Sequence, residues 1–590
     1  MLLTAERQLL GAVTLERPWD LITTFSTLRR EHPSDVERAA GHIERHLREL
    51  GIPVEVHRPD LFLSLPRRAS VTVGGATFTA KPMAMSAIYR EGLEAPLVYQ
   101  PSAYAANADD MFSSALLEGE VDVRGKIVVT EGFGMPGKIR ELERRGAVGV
   151  IAINPGERAH WGICTSIWGT PDLNDLPRKP RVAVANVNRP DGDRLIEFAR
   201  AGESAVLTTD LEEGWFPSPI PVVTIPGTED PEAFVLLHGH YDSWDYGVGD
   251  NAVGDATLLE VARNLWNRRA ELRRSVRIAW WPGHSTGRYA GSTWYADHFA
   301  LDLYRNCVAQ INCDSPGCRW ATEYQDVSVM AEAVPWAGEI IRDVTGQEMQ
   351  AERPVRAGDY SFNNIGLSGF FMLLSTMPGG LRAEKGYYAV GGCGGNIAWH
   401  TEDDTLEIAD RDILLKDMQI YLLSAYRTAN ATVIPFDYTR TLDEFDGALD
   451  EYAAAAGSAF DLSPARAAVH ELRLDVGRLA RAAQGMSGEP LASPAVRRVN
   501  AALISLARHL VQASYSQAPA FFHDPAEHVP PLPDLAVLGR LAEVSPEERG
   551  FVLTHARRGQ NRLLAHLGDA RNAVRDALER TEISVRGGQL

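Results

Sequence analysis

The stretch from Phe234 to Glu260, FVLLHGHYDSWDYGVGDNAVGDATLLE, decides how this chain is read. It opens on an apolar run, Phe234 to Leu237, with the length and composition of a buried strand. His240, Tyr241 and Asp242 follow directly, and a Gly-rich turn then delivers Asp250 and Asn251. Beyond them an apolar period (Ala252, Leu258, Leu259, Val261, Ala262, Leu265) predicts a helix. Open α/β sheets carry their chemistry at the carboxyl ends of strands and in the loops that follow. An imidazole and a carboxylate brought together there are good ligands for zinc or a similar divalent ion. A strand, turn and helix with ordinary polar residues at the mouth accounts for His240-Tyr241-Asp242 equally well, so the surrounding chain has to decide.

On the amino side, residues 18 to 51 read as helical, with Val36, Ala40, Ile43, Leu47 and Leu50 at spacings of three and four and Gly51 as the stop. IPVEVHR then reads as a strand. From about Leu61 short β-like runs with Gly and Pro punctuation take over: ASVTVGGATFTA, APLVYQ, GKIVVTEG. With one helix–strand pair, IRELERRGAVGVIAINPG, they predict a separate β-rich insert over 61–215. Nothing in it clusters like a catalytic site. Its His160, Trp161 and Trp168 read as surface-loop aromatics sooner than as the border of a cleft.

On the carboxyl side, FVLLHGH, VRIAWWPGH, CVAQINCDS and FFMLLST alternate with helical segments as far as Pro435. That alternation predicts a sheet covered by helices on both faces. From Phe436 the chain turns to Ala-, Leu- and Arg-rich helix formers, broken by HVPPLPDL. The expected division is therefore 1–60 with 216–435 as the α/β domain, 61–215 as the insert, and 436–590 as a helical packing or dimerisation domain.

Composition narrows the function classes. A net charge of −19 argues against nucleic acid and anionic membrane as partners, since both call for basic patches. Five cysteines, few and odd in number, make no disulfide framework, and Cys313 and Cys318 lack the CxxC spacing of a structural zinc site. The opening MLLTAERQLLGAV carries Glu6 and Arg7 among its apolar residues and is a poor signal peptide. No apolar run approaches membrane-spanning length, so the expected location is cytoplasmic.

Four later pieces converge with the opening stretch. VRIAWWPGHSTGRYAGSTWYADHF puts His284 and Ser285 at the mouth of a strand, and CVAQINCDSPG does the same for Asp314. RAGDYSFNNIGLSGFF supplies Asp359 and Tyr360, and NIAWHTEDDTLE supplies His400 followed by Glu402. Each candidate stands beside an apolar run, so one sheet can present them together.

The order His240-x-Asp242, Asp250-Asn251, GRYAGS, Asn312-x-Asp314 and His400-Thr401 resembles the zinc aminopeptidase family that includes glutamate carboxypeptidase II and the transferrin receptor. The likeness extends to a protease-associated insert (RGKIVV, GAVGVI) and a C-terminal helical domain in the same order, and so covers nearly the whole chain. It implies an α/β fold with a mixed sheet flanked by helices, of zinc-exopeptidase type, and a homodimer. It also implies zinc or another divalent transition metal, one or two ions, acting on a small peptide or amide. Carried over by position, His240 and Asp314 hold one ion, His400 helps to hold the other, Asp250 bridges them, and Asp242 orients His240.

One departure counts against ordinary chemistry. The family carries a Glu-Glu pair, general base and metal ligand, where this chain has His284-Ser285 with one extra residue before the GRYAGS motif. His284 is then open to use as base or as metal ligand, and a non-catalytic binding or scaffold protein on the same fold is the alternative. Glu402 offers a substitute carboxylate, with a solvated face as the plainer reading. Arg288 and Tyr289, one turn after His284, and Asp359 with Tyr360 are the candidates for substrate binding, Arg288 because its planar fork matches a carboxylate.

Overall fold

The computed structural model describes residues 1–111 and 116–587. Its centre is a six-stranded mixed sheet in the order Glu55–His57, Ile220–Ile225, Arg274–Trp281, Asp230–His240, Cys307–Asn312, Gly369–Phe370. The first two pairings are antiparallel and the remaining three parallel. Phe234 to His240 is buried throughout, as a central parallel strand with helices on both faces requires. One face packs on helices Glu16–Phe25, Pro33–Glu49, Val253–Asn267 and Arg411–Asn430 through residues such as Val235, Leu237, Ile278 and Ile311. The other buries Phe234, Leu236 and Trp281 against Tyr295, Leu303 and Phe362.

The parallel register sets the place of the chemistry. His240 pairs with Trp281 and His238 with Asn312, so the 230–240, 274–281 and 307–312 strands end together. Gly239 makes the close approach possible, because a Cβ there would lie 2.4 Å from the Cys313 carbonyl. Beneath the site the buried Arg30 guanidinium donates to the carbonyls of Tyr241 (2.7 Å), Tyr246 (2.8 Å) and Gly247 (2.9 Å), tying the amino-terminal segment to the loop that carries the ligands.

The insert leaves the sheet after Glu55–His57 and returns at Ile220–Ile225. It is a closed barrel, Asp60–Val73, Ala76–Pro82, Ala183–Val187, Gly149–Ile153, Ile127–Glu131, Tyr89–Tyr99, Ser204–Pro217, around its own core of Val71, Phe78, Ile151 and Leu207. After the sheet come the long helices Tyr438–Ala456, Ser463–Ala483, Pro494–Tyr515 and Pro546–Gly587. Arg508 fastens them to the sheet by donating to the carbonyls of Cys307 (2.6 Å), Tyr304 (2.7 Å) and Gly366 (2.9 Å).

Two elements differ from the sequence reading. The helical stretch over 18–51 is two helices, because Pro33 opens the second and disfavours helical backbone at His32. Of FFMLLST only Phe370 joins the sheet, with Gly369 before it: Phe371 turns to a φ of 65° and the chain leaves the strand direction.

Candidate metal centre

His240 closes the central strand and is fully buried. Its Nδ1 lies 3.0 Å from the Asp242 main-chain carbonyl. A carbonyl only accepts, so Nδ1 carries a proton and Nε2 is the atom turned to the carboxylates. That Nε2 lies 3.0 Å from Asp250 Oδ1 and 3.6 Å from Asp314 Oδ2. The orienting group is therefore the carbonyl of Asp242 and not its carboxylate, whose nearer oxygen is 3.8 Å away. The carboxylate instead accepts the N–H groups of His284 (3.0 Å) and Ser285 (2.9 Å), so Asp242 is a positioning residue for the turn that presents His284.

Asp250 stands between two imidazoles, with Oδ1 on His240 and Oδ2 3.0 Å from His400 Nε2. Its loop is held by Asp404, which accepts the N–H groups of Gly249 (2.7 Å) and Asp250 (3.0 Å). Asn251 staples three segments. Its amide donates to the carbonyls of Cys313 (2.9 Å) and His240 (3.2 Å), and its oxygen accepts from Ser315 N–H (2.9 Å).

His284 lies face to face with His240, ring centroids 3.7 Å apart. Its Nδ1 is 2.9 Å from Asp359 Oδ2, and Asp359 Oδ1 accepts from Ser292 Oγ at 2.6 Å. Asp359 is thus turned to His284 and is not a wall of the cleft. A ring nitrogen of His284 falls within 4.8 Å of donor atoms of both His240 and Asp314.

The electrostatics call for a cation. Burial opposes charge on His240, yet the Asp314 and Asp250 carboxylates outweigh it and hold the imidazole well above its ordinary range. Asp250 is correspondingly driven well below the carboxylate range: burial works against this, and His240 and His400 overcome it. His240 Nε2 and Asp250 Oδ1 are buried and lack a hydrogen bond of good geometry. Three imidazoles and two carboxylates around such orphaned atoms fit a divalent transition metal.

Above these donors opens a cleft walled by Phe133, Met135 and Trp161 from the insert and by Trp244, Met372 and Trp399 from the α/β domain. The aromatic residues of the insert are therefore not loop decoration. Trp161 stacks on Trp244 (5.6 Å), and Trp168 is buried against Tyr289 (4.6 Å). Arg288 and Tyr289 both line the cleft. The Arg288 guanidinium is buried, donates to the Ile163 carbonyl (2.8 Å) and leaves Nε without a partner. Tyr360 is elsewhere. It packs with Met330, Val511 and Tyr515 at the boundary with the helical domain, so it does not border the substrate space. Glu402 is taken up by Lys81 (2.7 Å) and Arg158 (3.3 Å) and does not replace the missing carboxylate.

The residues without a role in the sequence reading are those supporting the ligands from afar: Asp404, Arg30, and Glu31, whose Oε1 accepts the N–H of Asp245 (2.6 Å). Burial, aided by the Asp245 charge, pushes the Glu31 carboxyl up to about 7. A raised carboxyl adds stability that is complete below its unfolded value of 4.5 and is lost as pH rises through about 7. Glu31→Gln is expected to melt with the unmodified chain at pH 5 and to gain about 1–2 kcal/mol on it at pH 8. Equal gains at both pH values in thermal melts would remove Glu31 as the titrating group.

The strand ends of this mixed sheet thus gather histidines and aspartates beneath a cleft. Residues 222–423 match the model of peptidase family M28, and residues 93–195, within the insert, match that of the PA domain. Among curated relatives, the probable glutamate carboxypeptidase VP8 of Zea mays is 27% identical over 236 residues, 36% of this chain and 31% of that protein. Carboxypeptidase Q of Rattus norvegicus is 27% identical over 190 residues, 30% of this chain and 40% of that protein. The chain thus spans well under half the length of these relatives. The aminopeptidase from Aneurinibacillus sp. strain AM-1 shares the fold at a TM-score of 0.52 and 20% identity, over 72% of this chain and 96% of that one. For BSAP, a zinc aminopeptidase from Bacillus subtilis, the figures are 0.51 and 19%, over 70% and 95%. Among the described residues no helix is long and apolar enough to cross a membrane.

Proposed function

We propose that this chain is a metal-dependent hydrolase of a peptide or small amide, with zinc the fitting ion. The observation that carries the reading is the meeting of His240, Asp250, Asp314, His284 and His400 at the carboxyl end of the sheet, with His240 Nε2 and Asp250 Oδ1 buried and lacking a hydrogen bond of good geometry. A bound divalent ion supplies Lewis acidity, polarising a carbonyl and acidifying water at neutral pH. His240, Asp250 and Asp314 would hold one ion, and Asp250 with His400 a second.

The chain's own part begins with His284. Asp359 fixes the proton on Nδ1, which leaves the other ring nitrogen free to accept one, and the same carboxylate stabilises the imidazolium that results. The apolar walls exclude water and suit an apolar side chain. Arg288, buried in that wall without an acidic partner among the described residues, offers its fork to a substrate carboxylate. A second reading is favoured by the proximity of a His284 ring nitrogen to the donors of His240 and Asp314. In it His284 is a fourth ligand of a single ion.

Emission spectroscopy on chelator-stripped and zinc-reconstituted protein tests the reading, alongside a screen of unblocked and N-acylated amino-acid amides. Near-zero zinc after reconstitution would favour a binding or scaffold protein on the same fold. The helices beyond residue 436 would serve a two-fold interface, isologous dimers being the commonest soluble assembly. Light scattering is then expected to give about twice the chain mass of 64.7 kDa, and a monomer at micromolar concentration would defeat the assignment. Cytoplasmic residence remains part of this proposal, and the five free cysteines, all buried, suit a reducing compartment.

A further inference from the structure

We infer that the PA insert is a working part of the metal centre: the Trp161 carbonyl orients His400, so docking of the insert and binding of metal are one coupled equilibrium. This rests on the metal reading above. His400 Nδ1 lies 3.0 Å from the Trp161 carbonyl, and the Trp161 N–H donates to the His400 carbonyl at 2.8 Å. The carbonyl assigns the proton to Nδ1 and aims Nε2 at Asp250. Groups that orient a metal-bound imidazole set its tautomer and its affinity, and losing one costs about 10- to 100-fold in binding.

The two histidines are supported differently. His240 is oriented by Asp242, two residues away in its own loop, and needs nothing from another domain. His400 stacks on its neighbour Trp399 (3.7 Å) but takes its Nδ1 partner from across the domain boundary, and its backbone holds a φ of 58° that local sequence does not favour. Ser285 brings no anionic ligand to this side, so the aim of His400 matters most here.

Trp161 is in turn held from three directions. Its Nε1 donates to Asp245 Oδ2 (2.9 Å), its ring stacks on Trp244, and Lys81 Nζ sits 4.9 Å over the ring centroid. Lys81 and Arg158 reach from the insert to Glu402, and Arg158 to Asp403 (3.1 Å), closing the boundary immediately after His400. Coupling of this kind is reciprocal: whatever docking does for metal affinity, metal does for docking.

The test uses the full chain, stripped by chelator and titrated with zinc by calorimetry, with amide hydrogen exchange read over residues 159–163. Zinc is expected to slow exchange there in the unmodified chain. Trp161→Gly keeps a carbonyl but loses its anchors, and is expected to weaken zinc about 10- to 100-fold. Trp161→Phe keeps the ring without the bond to Asp245 and should lose much less, a graded rescue that general destabilisation would not produce. In His400→Ala, zinc held by the remaining ligands should no longer slow exchange at 159–163. Zinc affinity within twofold of normal in folded Trp161→Gly would overturn the inference, as would slowing that survives in His400→Ala. If Trp161→Gly does not fold, the Phe variant and His400→Ala decide alone. An unmodified chain that binds neither zinc nor cobalt overturns the metal reading itself, and this inference with it.

Discussion

Asp250→Ala is expected to strip more metal from this protein than any other single change at the site, weakening zinc by more than about a hundredfold. Its two carboxylate oxygens face two different imidazoles, each at 3.0 Å, so one side chain serves both halves of the donor set. Its removal also leaves His240 and His400 without the charge that balances a cation between them. His240→Ala or His400→Ala takes away one donor and spares the other half. Metal content by emission spectroscopy across the three variants checks the order. Full metal in Asp250→Ala beside loss in His240→Ala would mean a single ion held without the bridging carboxylate.

The second large effect falls on His284. His284→Ala is expected to lower turnover by about 10²- to 10⁴-fold if the imidazole moves the proton. Metal content tells the two uses apart: retained metal marks His284 as the base, and lost metal marks it as a ligand. Asp359→Asn should share part of the loss, because an amide at that position can donate to Nδ1 and so frees the ring to adopt the wrong tautomer. The double change His284→Glu with Ser285→Glu supplies the carboxylates that the resemblance leads one to expect. Gain of hydrolysis on unblocked amino-acid amides would show that the rest of the site is competent for it. Activity unchanged in His284→Ala would make the residue a bystander.

The parts of this site that are legible in the sequence are side chains attached to recognisable local structure. His240, Asp314 and His284 each follow an apolar strand, and Asp250 follows a Gly-rich turn before an apolar-periodic helix, so periodicity places them at strand ends and the family resemblance supplies their roles. What remains hidden is carried by the main chain or by contact between distant segments. Any residue could have supplied the carbonyls of Asp242 and Trp161, and no residue type marks them. The pairing of Asp359 with His284 depends on how the 355–365 loop folds back, and the outward turn of Tyr360 on packing against Val511 and Tyr515. FFMLLST has the composition of a strand, yet a left-handed turn at Phe371 ends the strand at Phe370. Glu402 looks like a spare ligand until Lys81, far away in the chain, is brought beside it.

The position of the insert also governs how the nascent chain must live on the ribosome. Asp60 and Pro217 are paired neighbours, and Glu55 pairs with Val222. Synthesis therefore delivers the amino-terminal helices and the first edge strand long before any partner strand exists. Leu21, Ile22, Phe25, Ile43 and Leu47, all fully buried in the finished molecule, have no sheet to cover them during that wait. The barrel, with its own closed ring of strands and its own core, is the first unit able to fold. These amino-terminal apolar segments therefore wait for their cover until the 220–240 stretch emerges.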